Sequence, residues 1–130
     1  MATLQKRWVV DAPATRVWAA FADFGAVHTR VAPGFVLQCT REGDVRTVQF
    51  LNGTSAKEQL ITLDDQARRL VYAVSSERVK HYNAVIEVHG EANQRSAVSW
   101  TIDFFPHDLA FYLDTQMTAA VKVMQTALAR

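Results

Sequence analysis

The C-terminal stretch 108-DLAFYLDTQMTAAVKVMQTALAR-130 carries the clearest structural signal in the chain. It contains neither glycine nor proline, and its apolar residues recur at steps of three or four, the spacing of one face of an α-helix. These residues are Leu109, Leu113, Met117, Val121, Met124 and Leu128. At a rise of about 1.5 Å per residue, the helix would be about 33 Å long, roughly the width of a small domain. The stretch therefore predicts one long amphipathic helix whose apolar face must be buried.

Strand-like segments with short polar connections precede this helix. Alternating and β-branched residues predict six strands, at 35–41, 45–52, 56–64, 69–76, 81–89 and 96–105. Asn52–Gly53 is a strong hairpin signal between the second and third of them. Because every connection is short, neighbouring strands are expected to be antiparallel. A further strand is expected near the N-terminus in TLQKRWVVD, residues 3–11.

Two short helical segments are predicted between the first strand and the other six. In 11-DAPATRVWAAFADF-24, Pro13 suits the first turn of a helix, where its missing N–H would have no partner anyway. An apolar stripe follows at helical spacing, made of Val17, Trp18 and Phe21. A second helical turn is expected at 26–31, before a Pro-Gly pair ends it.

This order of elements predicts a single α+β domain over residues 1–130. A seven-stranded antiparallel sheet must bury one face against the long helix, and a twisted sheet of that size tends to curl around it. A curved sheet touches a straight helix well at only one end. The other end is therefore expected to leave a cavity under the loops and short helices.

Composition and charge argue against several classes of function. Hydrophobic residues make up 49% of the 130 residues and charged residues 21%, with a formal net charge of +1 and no run of three basic residues. This argues against a nucleic-acid or anionic-membrane footprint, which needs concentrated positive charge. The single cysteine, Cys39, cannot form an internal disulfide, and no long apolar run marks a signal peptide or a membrane span. We therefore expect a soluble, cytoplasmic protein without stable membrane insertion.

The strand 56-AKEQLITL-63 places a carboxylate, Glu58, in its middle. Alternate residues of a strand face opposite sides, so Glu58 should share a face with Ala56, Leu60 and Thr62. The other face also mixes polar and apolar residues. The alternation alone therefore leaves open whether Glu58 points to solvent or to the interior.

The order of elements and several segments together resemble the START-like superfamily, in its polyketide cyclase/dehydrase-like subgroup, which is related to the plant abscisic acid receptors. The segments that carry the resemblance are VDAPATRVWAAFADF, KEQLITLDDQARRLVYAV, HYNAVIEVH and AVSWTIDFF. The resemblance covers nearly the whole chain and implies the helix-grip fold, a curved seven-stranded antiparallel sheet around a long C-terminal helix. Members of this superfamily bind lipids, hormones or polyketides, or catalyse cyclisations.

The resemblance also implies where particular side chains lie. Glu58 and Tyr82 match a glutamate and a tyrosine that face the ligand cavity in the abscisic acid receptors. Leu37 stands where those receptors have the lysine that holds the hormone's acid group, and the gate loop is shortened to about NGTS. Abscisic acid is therefore not an expected ligand. His28 falls in the region that roofs the cavity in relatives.

Residues expected to line the cavity combine the polar candidates with apolar companions on the same faces. They are Leu37, Phe50, Glu58, Leu60, Tyr72, Tyr82, Trp100, Met117, Val121 and Met124. An inward carboxylate must be hydrogen-bonded, paired or protonated, and its candidate partners are Tyr72, Tyr82 and Arg46. For Met117, Val121 and Met124 the helical spacing favours plain core packing over a role in the cavity wall, and for Trp100 the two interpretations stay open. A solvated carboxylate or a purely structural Glu58–Arg46 pair is the alternative for Glu58.

The leading functional hypothesis is binding of a small, mainly hydrophobic molecule that is lipid-, polyketide- or isoprenoid-like. The alternative is an enzyme of the polyketide cyclase, aromatase or dehydratase kind that uses Glu58 as acid or base. A third hypothesis is a regulator whose loops close onto a partner protein. The histidines show no metal spacing and no phosphate-binding loop is present, so no metal or other cofactor is expected. We expect a monomer or a weak homodimer.

Overall fold

The computed structural model describes residues 1–129, so the last residue of the predicted helix, Arg130, lies outside the described part. The strands are β1 (Ala2–Val10), β2 (Val36–Glu42), β3 (Val45–Phe50), β4 (Ser55–Asp64), β5 (Arg69–Ser75), β6 (His81–Glu91) and β7 (Arg95–Phe105). The α-helices are α1 (Ala14–Ala22) and α2 (Ala110–Leu128). Single turns of 3₁₀-helix lie at Phe24–Ala26 and His107–Leu109, and a π-helical turn lies at Val27–Val31.

The strands form one antiparallel sheet in the order β1-β7-β6-β5-β4-β3-β2. Each predicted strand is confirmed, with bounds that differ by at most two residues. The Asn52–Gly53 hairpin signal is also confirmed, because Gly53 has a φ of +89° and the Asn52 side chain accepts a hydrogen bond from the backbone N–H of Thr54. The fold is the helix-grip arrangement that the order of elements predicts.

The apolar stripe of α1 is buried, as its spacing predicts. Val17, Trp18 and Phe21 face the interior, and the indole N–H of Trp18 donates to Asp65 at 2.9 Å on the turn after β4. The second helical turn exists but splits into a 3₁₀ turn and a π-helical turn. These turns continue from α1 across one end of the sheet.

Helix α2 begins two residues later than the sequence predicts, because its first turn is 3₁₀ rather than α-helical. Its buried face consists of Met117, Ala120, Met124 and Leu128. No helix among residues 1–129 is both long and apolar enough to cross a membrane.

Polar contacts hold α2 along the β1 edge of the sheet. Lys6 on β1 forms an ion pair with Asp114 at 2.6 Å, and Gln125 donates to the carbonyl oxygen of Val9 at 2.9 Å. Strands β3, β4 and β5 lie farther across the curved sheet from that edge. The space between these strands and the helix is the cavity that the geometry of the fold predicts.

Candidate functional site

The cavity has a volume of about 900 Å³, which is enough to enclose a drug-sized molecule. The inner faces of β2 to β7 form one wall, with most of the lining residues on β3, β4 and β5, and α2 forms the other. The end of α1 and the turns that follow it close the top. Loops at the ends of β3 and β5 border its open end.

Most of the wall is apolar. Val48 and Val74 contribute from the sheet, and Met117 and Met124 contribute from α2. Phe35 meets Phe50 edge-to-face with ring centroids 5.9 Å apart, a favourable aromatic geometry. An apolar molecule placed against such a surface would be removed from water, which is energetically favourable.

Glu58 points into this cavity and is ion-paired there with Arg46. The two residues lie directly opposite each other on β3 and β4, so their side chains emerge from the same face of the sheet. Arg46 Nε donates to Glu58 Oε1 at 2.7 Å, and the two residues are only 5% and 7% exposed. The structure thus answers the question that the strand alternation leaves open. The pair satisfies the requirement that a buried charge have a partner.

Arg46 is held from two further sides. Its Nη1 donates to the carbonyl oxygen of Phe24 at 3.0 Å, and its guanidinium lies 3.9 Å from the centre of the Phe24 ring. The Tyr72 ring lies 5.0 Å from the same guanidinium. Within residues 1–129, neither Arg46 Nη2 nor Glu58 Oε2 has a hydrogen-bond partner. Both atoms are therefore available to a bound molecule.

Two tyrosines, Tyr72 and Tyr82, also line the cavity. Burial raises the pKa of Tyr72 well above its ordinary value, and the negative charge of Glu58 raises it further. Burial likewise raises the pKa of Tyr82, with smaller contributions from Tyr72 and Glu58. Both hydroxyls stay protonated at neutral pH and can donate hydrogen bonds. The indole N–H of Trp100 is also buried there; it makes no well-formed hydrogen bond among the described residues, although it lies near enough to the Tyr72 hydroxyl to offset slightly the rise in the pKa of that tyrosine.

Most of the residues predicted to line the cavity do so. They are Phe50, Glu58, Tyr72, Tyr82, Trp100, Met117 and Met124. They come from β3, β4, β5, β6, β7 and α2 and meet in one cavity. Their roles toward a bound molecule stay predictions.

The prediction for Leu37 is wrong, because a β-bulge interrupts the alternation of β2. Val36 pairs with Phe50 and Gln38 pairs with Gln49, so Leu37 is the extra residue of the bulge. Its side chain turns outward and is 46% exposed, while Val36 takes the position in the cavity wall. The inward face of β2 does carry one cation, Arg41, which lies opposite Arg46 with its guanidinium 5.6 Å from the centre of the Phe24 ring, but it is exposed and lies outside the cavity wall.

Three other expectations are corrected. Leu60 packs against the core but does not reach the cavity, and a second bulge immediately after it turns Thr62 to the outer face. Val121 lies one position around α2 from Ala120, which takes the cavity-facing place. His28 lies on the π-helical turn but not in the cavity wall.

Cys39 does not have the properties of a reactive thiol. It lies opposite Val48 on the inner side of β2 and is half-buried. Burial raises the pKa of its thiol, whereas activation of a cysteine nucleophile requires a lowered pKa.

The sequence does not predict two contacts that join the loops to α2 beside the open end of the cavity. Asn52 Nδ2, on the β3–β4 hairpin, donates to the hydroxyl oxygen of Tyr112 on α2 at 3.0 Å. The Arg78 guanidinium, on the β5–β6 loop, lies 4.8 Å from the centre of the Tyr112 ring. No local sequence pattern predicts these contacts. Val74, by contrast, was detectable because it shares its strand face with Tyr72.

The fold and the cavity define a class: helix-grip proteins that enclose an internal cavity between a curved sheet and a C-terminal helix. Residues 1–130 match the family described as polyketide cyclase / dehydrase and lipid transport. The chain belongs to this family, which confirms the resemblance of the sequence. No functionally curated protein matches the chain.

Solved structures share the fold over nearly the whole chain. A protein from Thermobifida fusca is 32% identical with a TM-score of 0.79, and the match covers 99% of this chain and 91% of that one. The di-domain aromatase/cyclase BexL is 18% identical with a TM-score of 0.81, over 98% of this chain and 46% of BexL. Norcoclaurine synthase from Thalictrum flavum, in complex with dopamine and hydroxybenzaldehyde, is 16% identical with a TM-score of 0.75, over 98% and 84% of the two chains.

Proposed function

We propose that this protein binds a small, mainly apolar molecule with one or two polar groups. The observation that carries the proposal is a cavity of about 900 Å³ whose apolar walls surround a buried Arg46–Glu58 pair. A side-chain pair that serves only structure needs no such space beside it. The volume and the mixed lining are both typical of ligand sites.

The apolar wall supplies the affinity in this proposal. A ligand that buries about 300 Å² of apolar surface gains roughly 7 kcal/mol at about 25 cal/mol per Å². Loss of translational and rotational freedom offsets part of that gain. The methionines of α2 adapt to irregular ligand shapes, because their side chains are unbranched and polarisable.

The polar groups set the orientation of the ligand. Arg46 Nη2, the two tyrosine hydroxyls and the Trp100 N–H donate hydrogen bonds, and Glu58 Oε2 accepts one. Membership of a family that includes lipid transport supports this function. Norcoclaurine synthase holds small aromatic molecules on the same fold, which also supports it.

Filling the cavity tests the proposal. Val74→Trp would place an indole in the cavity, while Ala73→Trp adds the same ring on the opposite face of β5. We expect Val74→Trp to weaken binding of 2-acetylnaphthalene at least about tenfold in isothermal titration calorimetry, and Ala73→Trp to change it by less than about twofold. Native mass spectrometry of the purified protein adds an independent search for a co-purifying molecule.

Equal affinity of Val74→Trp and the unaltered protein for the probe contradicts the proposal. So does the failure of every member of a probe panel with naphthalene, steroid and acyl-chain skeletons to bind. Circular dichroism of both variants shows whether the fold is retained.

A second candidate function is proton transfer at a carbon next to a carbonyl group. The observation that favours it is the pair of protonated tyrosine hydroxyls beside the Glu58 carboxylate, since they can stabilise a developing oxyanion. Glu58 would act as the base, which requires it to loosen its contact with Arg46. Deuterium exchange of the methyl protons of 2-acetylnaphthalene, followed by NMR in D₂O, measures this activity. If exchange with the protein is no faster than in buffer alone, the proposed enzymatic activity is contradicted, whereas the binding proposal is unaffected.

A further inference from the structure

The polar centre of the cavity is electrically neutral before any ligand binds. Glu58 and Arg46 are both nearly fully buried, and the 2.7 Å contact between them compensates the two charges. The free groups around this pair are uncharged or already compensated. They include the hydroxyls of Tyr72 and Tyr82 and the indole N–H of Trp100.

These free groups offer more donors than acceptors. Arg46 Nη2 and the Trp100 N–H only donate, and the tyrosine hydroxyls are able to donate. Glu58 Oε2 is the one acceptor-only atom among them. A carbonyl oxygen fits this set because it accepts hydrogen bonds and brings no charge into the cavity.

We infer that the cavity selects neutral carbonyl compounds over carboxylates, and that Glu58 is the residue that determines this specificity. The inference rests on the proposed binding function and adds the chemical class of the ligand. A carboxylate at Arg46 would have to give up its hydration. It would also lie close to the negative charge of Glu58 in a poorly solvated site. A neutral ketone or ester carries no charge, so its binding involves neither the loss of ionic hydration nor repulsion by Glu58.

Other charges near the cavity do not change this balance. Lys57, Glu77 and Arg78 border the cavity, but all three are exposed at its open end. Arg41 lies opposite Arg46 on β2, with its guanidinium 5.6 Å from the centre of the Phe24 ring, and it is also exposed. Water and salt screen exposed charges far more than a buried pair. The buried pair therefore dominates the electrostatics at the ligand's polar end.

The test uses two probes with the same ring and nearly the same shape, methyl 2-naphthoate and 2-naphthoate. In the unaltered protein at neutral pH, we expect the ester to bind at least about tenfold more tightly in isothermal titration calorimetry. Glu58→Gln keeps the shape of the side chain but leaves the charge of Arg46 uncompensated. We expect this variant to bind 2-naphthoate about tenfold or more tightly than the unaltered protein does, with little change for the ester.

Two further variants separate the role of Glu58 from other effects. Arg46→Gln/Glu58→Gln removes both charges and should show no gain for 2-naphthoate, because the gain depends on the Arg46 charge. Glu42→Gln removes a carboxylate from an exposed strand end outside the cavity and should keep the ester-to-acid ratio of the unaltered protein. A cavity that rejects acids only because it is apolar would show no gain in Glu58→Gln.

Equal binding of ester and acid to the unaltered protein overturns the inference while the proposed function stands. A folded Glu58→Gln variant without improved acid binding overturns the role of Glu58. The ratio measured in the unaltered protein decides the selectivity even where a variant fails to fold. Absence of binding by both probes and by every other member of the naphthalene, steroid and acyl-chain panel contradicts the proposed function itself.

Discussion

The Arg46–Glu58 pair is a cross-strand contact that compensates two buried charges inside the cavity. Each side chain compensates the buried charge of the other, and Phe24 fixes the guanidinium through its ring and its carbonyl oxygen. The pair therefore cannot be altered on one side alone without leaving a buried charge. The atoms that it leaves free face the cavity.

Removing the cation alone is expected to destabilise the fold. Arg46→Met leaves Glu58 buried without a partner and should lower the free energy of unfolding by about 3–5 kcal/mol. Urea denaturation at neutral pH measures the change. Arg95→Met, at the exposed start of β7, is the matched control and should change stability by less than about 0.5 kcal/mol.

The double variant Arg46→Met/Glu58→Leu separates charge from packing. Because it removes both charges, we expect it to recover most of the stability that Arg46→Met loses. A double variant as unstable as the single variant would show that lost packing, and not the unpaired carboxylate, causes the effect.

The buried tyrosines predict a loss of stability at high pH. Their pKa values are raised in the folded state, so the unfolded chain loses these protons first. Their stabilising contribution is complete below the ordinary tyrosine pKa of about 10 and is lost as the pH rises from there toward the raised folded values. Tyr72→Phe/Tyr82→Phe should therefore flatten the fall in stability above about pH 10, measured by urea denaturation at a series of pH values. If stability falls with pH as steeply in the double variant as in the control Tyr112→Phe, the buried tyrosines do not cause the fall.

At the scale of the elements, two β-bulges determine which side chains reach the cavity. The bulge in β2 turns Leu37 outward and brings Val36 inward, and the bulge in β4 ends the inward row after Leu60. Each bulge adds one residue to one strand and so reverses the alternation beyond it. A strict alternation would have placed the wrong residue of β2 in the wall.

The bulge in β2 predicts opposite responses at neighbouring positions. Val36→Asp puts a charge into the cavity wall and should lower the free energy of unfolding by about 2 kcal/mol or more. Leu37→Asp places the same charge in solvent and should cost less than about 0.5 kcal/mol. Thermal and urea denaturation of the two variants measure both values. If Leu37→Asp were the less stable variant, Leu37 and not Val36 would face the cavity, as strict alternation of the strand predicts.

At the scale of the whole molecule, the cavity follows from how a straight helix meets a curved sheet. Contacts of α2 with β1, such as Lys6–Asp114, hold the helix at one edge, so the far strands curve away from it. The turns after α1 cover that space instead of filling it. Asn52 and Tyr112 then join the hairpin to the helix at the open end.

The sequence by itself determined the order of elements, the antiparallel sheet, the buried face of α2 and the expectation of a cavity. These features depend on periodicity and turn residues within short segments, which a linear chain displays directly. The resemblance to a known family supplied the inward direction of Glu58. Arg46 was already a candidate partner, because it lies on the neighbouring strand.

Only the tertiary structure decided that Val36 and not Leu37 lines the cavity, that Arg46 pairs with Glu58, and that Tyr112 meets Asn52 at a separation of 60 residues. A bulge or a cross-strand pair is a property of two strands in register, and a residue has no partner until that register forms. The alternation around Glu58 was the same for an inward and an outward side chain. The inward orientation of Glu58 became favourable only when the sheet curved around α2 and Arg46 came to lie opposite Glu58.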